Sequence, residues 1–68
     1  MVTVSGQFAD VAAAVRGSIY IKNQFKDNSK VKVLPVAENY LLVDCPSDHV
    51  DVVAAALEEA GAIDVQTT

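Results

Sequence analysis

The order of hydrophobic and polar residues predicts a first strand, a helix and a loop in the N-terminal half of the chain. Val2-Thr3-Val4 alternates at the two-residue period of a strand, and Ser5-Gly6 predicts the end of that strand and the start of a helix. Residues 23–29 are polar and predict a loop whose single large apolar residue, Phe25, turns inward. Apolar residues at helical spacing predict the buried face of the helix: Phe8, Val11, Ala12, Val15 and Ile19.

Two further strands are predicted in the middle of the chain. Lys30-Val31-Lys32-Val33 alternates lysines with β-branched residues, a pattern of edge strands, and Pro35 suits the end of such a strand. Ala37-Glu38-Asn39 supplies a turn. Tyr40-Leu41-Leu42-Val43 is apolar at every position, which is typical of a central strand.

The last third predicts a helix and a fourth strand. Ser47 or Asp48 is expected to cap the helix, and Gly61 is expected to end it in the left-handed conformation. After Gly61, alternation from Ile63 through Val65 predicts the strand. The predicted buried stripe of the helix comprises Val50, Val53, Ala54, Leu57 and Ala60 or Gly61.

The order β-α-β-β-α-β in 68 residues predicts an α+β protein with the ferredoxin-like, or split βαβ, sandwich. Such a sandwich has one four-stranded antiparallel sheet with two helices on one face. Right-handed crossovers place the first and third strands in the centre of the sheet. A chain of this length has room for one core, so residues 1–68 are expected to form a single domain.

Composition and charge narrow the choice of compartment and partner. Apolar residues make up 51% of the chain, but no apolar run approaches the roughly 18 residues of a membrane span, so we expect a cytoplasmic protein. The net charge of −4 argues against nucleic acid and anionic membranes as partners. All five basic residues lie within residues 16–32, whereas eight of the nine acids lie elsewhere, so the molecule is expected to be electrically two-ended.

Several spaced patterns resemble the small bacterial general-stress-protein domains. They are Val4-x-Gly6-x-Phe8 before an Ala-rich helix, Phe25-x-Asp27 before Val31-x-Val33, Leu42-Val43-x-Cys45, and the ending from Leu57 to Val65. Gln24 stands where that family usually has a glycine. The resemblance implies a ferredoxin-like fold, a stress-related accessory role and no established chemistry.

A fainter similarity links the chain to heavy-metal-associated domains, which share the strand order and a Val-x-Gly after the first strand. Those domains bind metal through Cys-x-x-Cys in the loop that here reads Gly6-Gln7-Phe8-Ala9-Asp10. Both cysteines are missing from it, so a soft-metal carrier function does not carry over.

Cys45 and His49 are the only pair of residues in the sequence whose types and spacing suggest chemical reactivity. Cys45 precedes a helix N-terminus, where the dipole lowers a thiol pKa, and His49 follows four residues later. The alternative is a Cys packed as a small apolar residue. One Cys and one His cannot complete a tetrahedral metal site, and no catalytic motif is present, so we expect no enzyme activity, metal or cofactor.

The open face of the sheet is the better candidate for function. If Leu41 and Val43 point to the helices, Tyr40 and Leu42 point outward. With Leu34 and the aliphatic parts of Lys30 and Lys32, they are expected to form an apolar patch with a charged rim, the anatomy of a protein interface. The leading hypothesis is therefore a protein-binding or accessory domain, most simply a homodimer joined through this face.

Two other classes of function stay open. One is a redox or ligand-handling protein that uses Cys45 near His49. The other is an acidic inhibitor or mimic of phage type that presents a negative helix to a basic partner. The acids of that surface would be Asp44, Asp48, Asp51, Glu58 and Glu59.

Overall fold

The computed structural model describes residues 1–67 and shows one four-stranded antiparallel sheet with two helices. The strands are β1 (Val2–Gln7), β2 (Lys32–Val33), β3 (Tyr40–Cys45) and β4 (Asp64–Thr67), and the helices are α1 (Val11–Gln24) and α2 (Val50–Glu59). The strand order is β2-β3-β1-β4, so the first and third strands are central, as predicted. The predicted ferredoxin-like α+β sandwich is confirmed.

The core lies between one face of the sheet and the two helices. Val4 of β1 pairs with Val43 of β3, and both side chains are fully buried on this face, where hydrophobic burial is most stabilising. Leu41 and Cys45 alternate with Val43 along β3 and are buried on the same side. The remaining fully buried apolar side chains are Phe8, Ala14, Ile21, Val53 and Leu57.

The predicted buried face of α1 is wrong. Val11, Val15 and Ile19 are 56%, 43% and 56% exposed, and Ala12 is also exposed. The residues that α1 buries are Ala14, Gly17, Ser18 and Ile21. Phe8 precedes the helix instead of belonging to it, and its ring occupies the space beside Gly17.

That contact explains the rotation of the helix. A Cβ at position 17 would lie 2.6 Å from Cζ of Phe8, so the absence of a side chain lets the helix backbone approach the ring. At this contact the helix must present Gly17 to the ring, since close-packed interiors have no spare volume, and the same face of the helix buries Ala14, Ser18 and Ile21. The larger valines and Ile19 are therefore left outside.

The predicted start of α1 is also displaced. Ser5 and Gly6 lie within β1, which continues to Gln7, and Asp10 is the N-cap. The Oδ1 of Asp10 accepts a hydrogen bond of 2.8 Å from the backbone N–H of Ala13, as a capping carboxylate does. The helix then extends through Gln24 into the predicted loop, and Phe25 packs half-buried against the core.

The predicted capping of α2 by Ser47 or Asp48 is wrong. The chain enters α2 through the 3-10 turn Ser47–His49, and neither that turn nor α2 has a side-chain cap. Asp48 instead contacts the ring of His49. The backbone turn is closed by the N–H of His49, which donates to the carbonyl of Pro46 over 2.9 Å.

The predicted end of α2 is confirmed. Gly61 has a φ of 108°, and its N–H donates to the carbonyl of Glu58. The N–H of Ala62 donates to the carbonyl of Leu57 over 3.0 Å, which completes a Schellman motif. The chain then passes directly into β4, whose Val65 is half-buried, while Ile63 is 67% exposed.

Removal of the observed cap is expected to destabilise the protein. Asp10→Ala should lower the free energy of unfolding by about 1 kcal/mol, because the N–H of Ala13 loses its acceptor. Ser47→Ala is the matched control and should have almost no effect, because Ser47 makes no capping hydrogen bond. Urea denaturation of both variants checks this, and equal losses would contradict the assignment.

Candidate interaction surface

Three apolar side chains lie together on the sheet face that the helices leave open. Leu41 and Val43 are buried, so alternation turns Tyr40 and Leu42 to the opposite face. The N–H of Leu34 donates to the carbonyl of Leu42 over 2.9 Å, which extends the β2–β3 pairing by one residue and places Leu34 beside Leu42. Tyr40 is 42% exposed, and both leucines are partly exposed.

The two lysines of the predicted rim occupy different positions. Lys32 is in β2 and pairs with Asp44 of β3, so both belong to the open face. Lys30 lies in the turn before β2, where its backbone N–H donates to the Asn28 side-chain oxygen over 3.0 Å. Both lysines are exposed, but only Lys32 borders the apolar side chains from within the sheet.

The β1 half of the same face is polar. Thr3, Ser5 and Gln7 alternate with the buried residues of β1, and the Thr3 hydroxyl donates to Oδ1 of Asp44 over 2.7 Å. A small hollow of about 110 Å³ lies at this half and is lined by Ser5, Gln7, Tyr40, Asp64 and Gln66. The apolar surface is therefore confined to β3 and the residue that follows β2, a restriction that the alternation of β3 alone does not predict.

We define the sheet patch as Leu34, Tyr40 and Leu42. Its position follows from the local sequence, because Ala37-Glu38-Asn39-Tyr40 forms a tight turn in which Ala37 and Tyr40 exchange backbone hydrogen bonds of 3.1 and 2.9 Å. The side chain of Asn39 donates to the carbonyl of Phe8 over 2.8 Å, which ties this turn to the β1–α1 connection. Hydrogen bonds therefore hold the turn that precedes Tyr40 and Leu42 against the rest of the fold.

Cys45 and His49 are not brought together as a reactive pair. Cys45 is fully buried, and burial raises the pKa of its thiol, with the negative charges of Asp44 and Asp48 adding to the effect. His49 contacts Asp48 at 2.8 Å through Nδ1, and this hydrogen bond lowers the pKa of the Asp48 carboxyl. Within residues 1–67, no hydrogen bond joins Cys45 to His49. The geometry fits a packed thiol.

The thiol of Cys45 is expected to react slowly. At pH 8, labelling by a soluble disulfide reagent should be at least ~100-fold slower in the folded protein than in urea, because the reagent needs an opening of the core. The colour released by the reagent measures the rate. Equal rates in the folded and unfolded protein would contradict the burial of the thiol.

The raised pKa of Cys45 also determines how the stability of the fold changes with pH. As pH rises above about 8.5, the thiol of the unfolded chain ionises before the folded one, so the unfolded state binds fewer protons and stability falls. The stabilisation linked to the Cys45 thiol is complete below the pKa of the thiol in the unfolded chain. It is lost as the pH rises through the pKa of the thiol in the folded protein. Comparison with Cys45→Ala, which lacks this group, isolates the effect in urea titrations at pH 7 to 10.

The acidic residues do not form one surface. Asp51, Glu58 and Glu59 are exposed on α2, whereas Asp44 lies on the open sheet face with Thr3. In the part of the chain that the structure describes, no group of three or more His, Cys, Asp or Glu side chains is arranged to hold a metal ion. No helix among residues 1–67 is long and apolar enough to cross a membrane.

The helix layer carries a second apolar surface that the sequence pattern did not predict. Val11, Val15 and Ile19 are exposed at four-residue intervals along α1, and we call them the α1 ridge. The α2 groove is a hollow of about 480 Å³ lined by Gln24, Phe25, Asp51, Val52, Ala55, Ala56 and Glu59. The hydroxyl of Tyr20 donates to Glu59 over 2.8 Å, which links the two helices and raises the pKa of Tyr20.

The fold and the exposed surfaces define a small α+β sandwich with apolar patches on its sheet face and on its helix layer. Comparison with known proteins identified no relative of this chain. No protein-family model matches the chain, and no curated protein or solved structure matches it significantly.

Proposed function

We propose that this chain is a non-enzymatic binding domain that acts through protein–protein contact at the sheet patch. The observation that carries the proposal is the grouping of Leu34, Leu42 and Tyr40 on a sheet face that no helix covers. Apolar side chains collected in one place and bordered by charge are typical of sites where a partner excludes water. Lys32 at the edge favours a partner that places an acidic group next to its own apolar residues.

A protein partner suits this face better than a small molecule does. The hollow beside Tyr40 has a volume of about 110 Å³, whereas pockets for drug-sized ligands usually occupy about 300–1,000 Å³. The buried thiol of Cys45 also favours binding over redox chemistry. A stress-related accessory role belongs to the proposal on the strength of the sequence resemblance alone.

The homodimer expected at this face would, like a complex with another protein, have to bury the polar row of β1 beside the sheet patch. A standard interface covers about 800 Å² on each partner. The molecule measures 28 × 22 × 19 Å, so an interface of that size would extend over most of the sheet face and bury the polar row of β1. Thr3, Ser5 and Gln7 would then lose water, and such desolvation offsets the gain from the sheet patch.

Substitution of the patch tests the proposal. Partners are captured from cells by cross-linking to the tagged chain, purified, and titrated against the wild type, Leu42→Asp and Tyr40→Ser. Binding should weaken at least ~10-fold in both variants, because each removes a central apolar contact. Ile63→Asp is the matched control, since Ile63 is exposed but lies before β4, away from the patch.

Thermal unfolding verifies that each variant is folded. Tyr40→Ser changes an exposed side chain, so it tests the patch even if Leu42→Asp is unstable. A partner that binds both patch variants as tightly as the wild type would exclude the sheet patch as its binding site.

A further inference from the structure

We propose that two copies of this chain associate through their helix layers, with α1 of each copy packed against α2 of the other. The first observation is the α1 ridge, in which three β-branched side chains, Val11, Val15 and Ile19, are each at least 43% exposed. Residues four apart on a helix lie above one another, so the ridge is continuous over about 12 Å. A continuous apolar ridge is the surface that a helix buries against another helix.

The second observation is the α2 groove, which has the shape and lining that such a ridge needs. Val52 is 56% exposed and stands beside Phe25 and the small side chain of Ala55, so the groove combines an apolar wall with room for a side chain to enter. Helices pack by inserting the ridges of one into the grooves of another. The ridge and the groove are both present in every molecule.

Charge selects α2 of the second copy as the surface that faces the ridge. On α1 the exposed charged side chains are Arg16 and Lys22, with no acid within the helix. On α2 they are Asp51, Glu58 and Glu59, with no lysine or arginine. No ion pair within 4.0 Å engages Arg16 or Lys22 among residues 1–67.

A two-fold axis can bring the helix layers together in two ways. If α1 faces α1, then Arg16 and Lys22 approach their own copies, and α2 places acids against acids. If α1 faces α2, opposite charges meet on both sides of the axis, and each ridge meets a groove. Like charges in contact are unfavourable and opposite charges fix the orientation, so the second arrangement is the one that the surfaces favour.

The size of the helix layer sets the expected strength of the dimer. The accessible surface of the molecule is 4076 Å², so a standard interface of about 800 Å² per copy would take a fifth of it. Two short helices present a surface at the lower end of that range. We therefore expect a dissociation constant on the order of micromolar, which sets the concentrations of the experiment.

Sedimentation equilibrium from about 1 to 500 μM tests the dimer directly. The wild type should change from 7.2 kDa to twice that mass over this range. Ile19→Glu should raise the dissociation constant at least ~10-fold, because a carboxylate replaces the largest apolar side chain of the ridge. Ile63→Glu is the control, since Ile63 is 67% exposed against 56% for Ile19 but lies outside both helices, and it should leave the dimer intact.

Removal of a charge distinguishes the two arrangements. Arg16→Gln should weaken the dimer if α1 faces the acidic α2, because an attraction is lost, but it should strengthen the dimer if α1 faces α1, because the repulsion between Arg16 and its own copy is removed. Arg16→Glu should weaken the dimer in the first arrangement, and addition of Glu58→Arg to Arg16→Glu should then restore part of the affinity. Tighter association of Arg16→Gln would overturn the α1–α2 arrangement.

The same measurement separates this proposal from the function proposed for the sheet patch. Leu42→Asp should leave the mass distribution unchanged, because Leu42 lies on the opposite face of the molecule. A strict monomer at 500 μM would overturn the helix-layer dimer and leave the sheet patch untouched. A dimer that is lost in Leu42→Asp and kept in Ile19→Glu would overturn it as well.

Discussion

Gly17→Val is expected to lower the free energy of unfolding by about 3 kcal/mol, although the substitution removes a glycine from the middle of a helix. The reason is the ring of Phe8. A Cβ at position 17 would lie 2.6 and 2.7 Å from two ring carbons, and the ring is fully buried. Close packing in protein interiors opposes the shift of the ring that would relieve this overlap. Urea denaturation measures the loss.

Smaller steps separate steric overlap from helix propensity. Gly17→Ala should still destabilise, because overpacking of about 1–3 kcal/mol exceeds the gain of up to ~1 kcal/mol that alanine brings to a helix. Ala12→Gly, at an exposed position of α1, measures the propensity alone. Phe8→Leu combined with Gly17→Ala should lose less than the sum of the single changes, since the two sites touch. An increase in stability for Gly17→Ala would contradict the contact.

Leu41→Ala is expected to cost about 2–5 kcal/mol, whereas Leu42→Ala should cost about 1 kcal/mol or less. The two leucines are neighbours in β3, but Leu41 is fully buried under the helices and Leu42 lies partly exposed in the sheet patch. Each variant serves as the control for the other, because both replace a leucine of β3 by alanine. Urea denaturation of both variants decides the outcome.

This pair also tests the register of β3. A shift of one residue in the pairing would exchange the two faces of the strand, and the larger loss would then appear at Leu42. The observed pairing of Val4 with Val43 requires the larger loss at Leu41. Equal losses would show that both faces are covered, which would require a partner over the sheet patch.

The fold was predictable because its signals are local and agree with one another. The lysines around Val31 identified β2 as an edge strand, and the run from Tyr40 to Val43 identified β3 as central. Gly61 fixed the end of α2 through a backbone conformation that other residues rarely adopt. These features depend on a few neighbouring residues, so they can be read without the tertiary structure.

The orientation of α1 was not predictable in this way. A hydrophobic stripe that includes Phe8 assumes that Phe8 is helical, whereas Asp10 starts the helix two residues later. Without Phe8, the remaining stripe of Val11, Val15 and Ile19 has correct helical spacing but lies outside. The buried side of α1 depends on the contact between Gly17 and the ring of Phe8. A contact between a helix and a residue outside it produces no periodic pattern in the sequence.

The sheet patch was predicted only in part, because some of its features depend on contacts between separate elements. Alternation along β3 correctly separated Leu41 from Leu42, since it is a property of one strand. The polar half of the face depends on which strand lies beside β3, and that strand is β1 with Thr3 and Ser5. The place of Lys30 outside β2 depends on the hydrogen bond from its N–H to Asn28, which no pattern of hydrophobicity encodes.

The central position of β1 has a consequence for folding during synthesis. β1 pairs on one side with β3 and on the other with β4, so Val4 is joined to Val43 and to Thr67. Within residues 1–67 the ribosome releases β1 first, and both of its neighbours emerge only after residue 39. Contacts so distant along the sequence close slowly, and the exposed edges of a waiting strand invite aggregation. We therefore expect the complete sheet to form only after β4 has left the ribosome, and we expect β1 to be most exposed to aggregation before that moment.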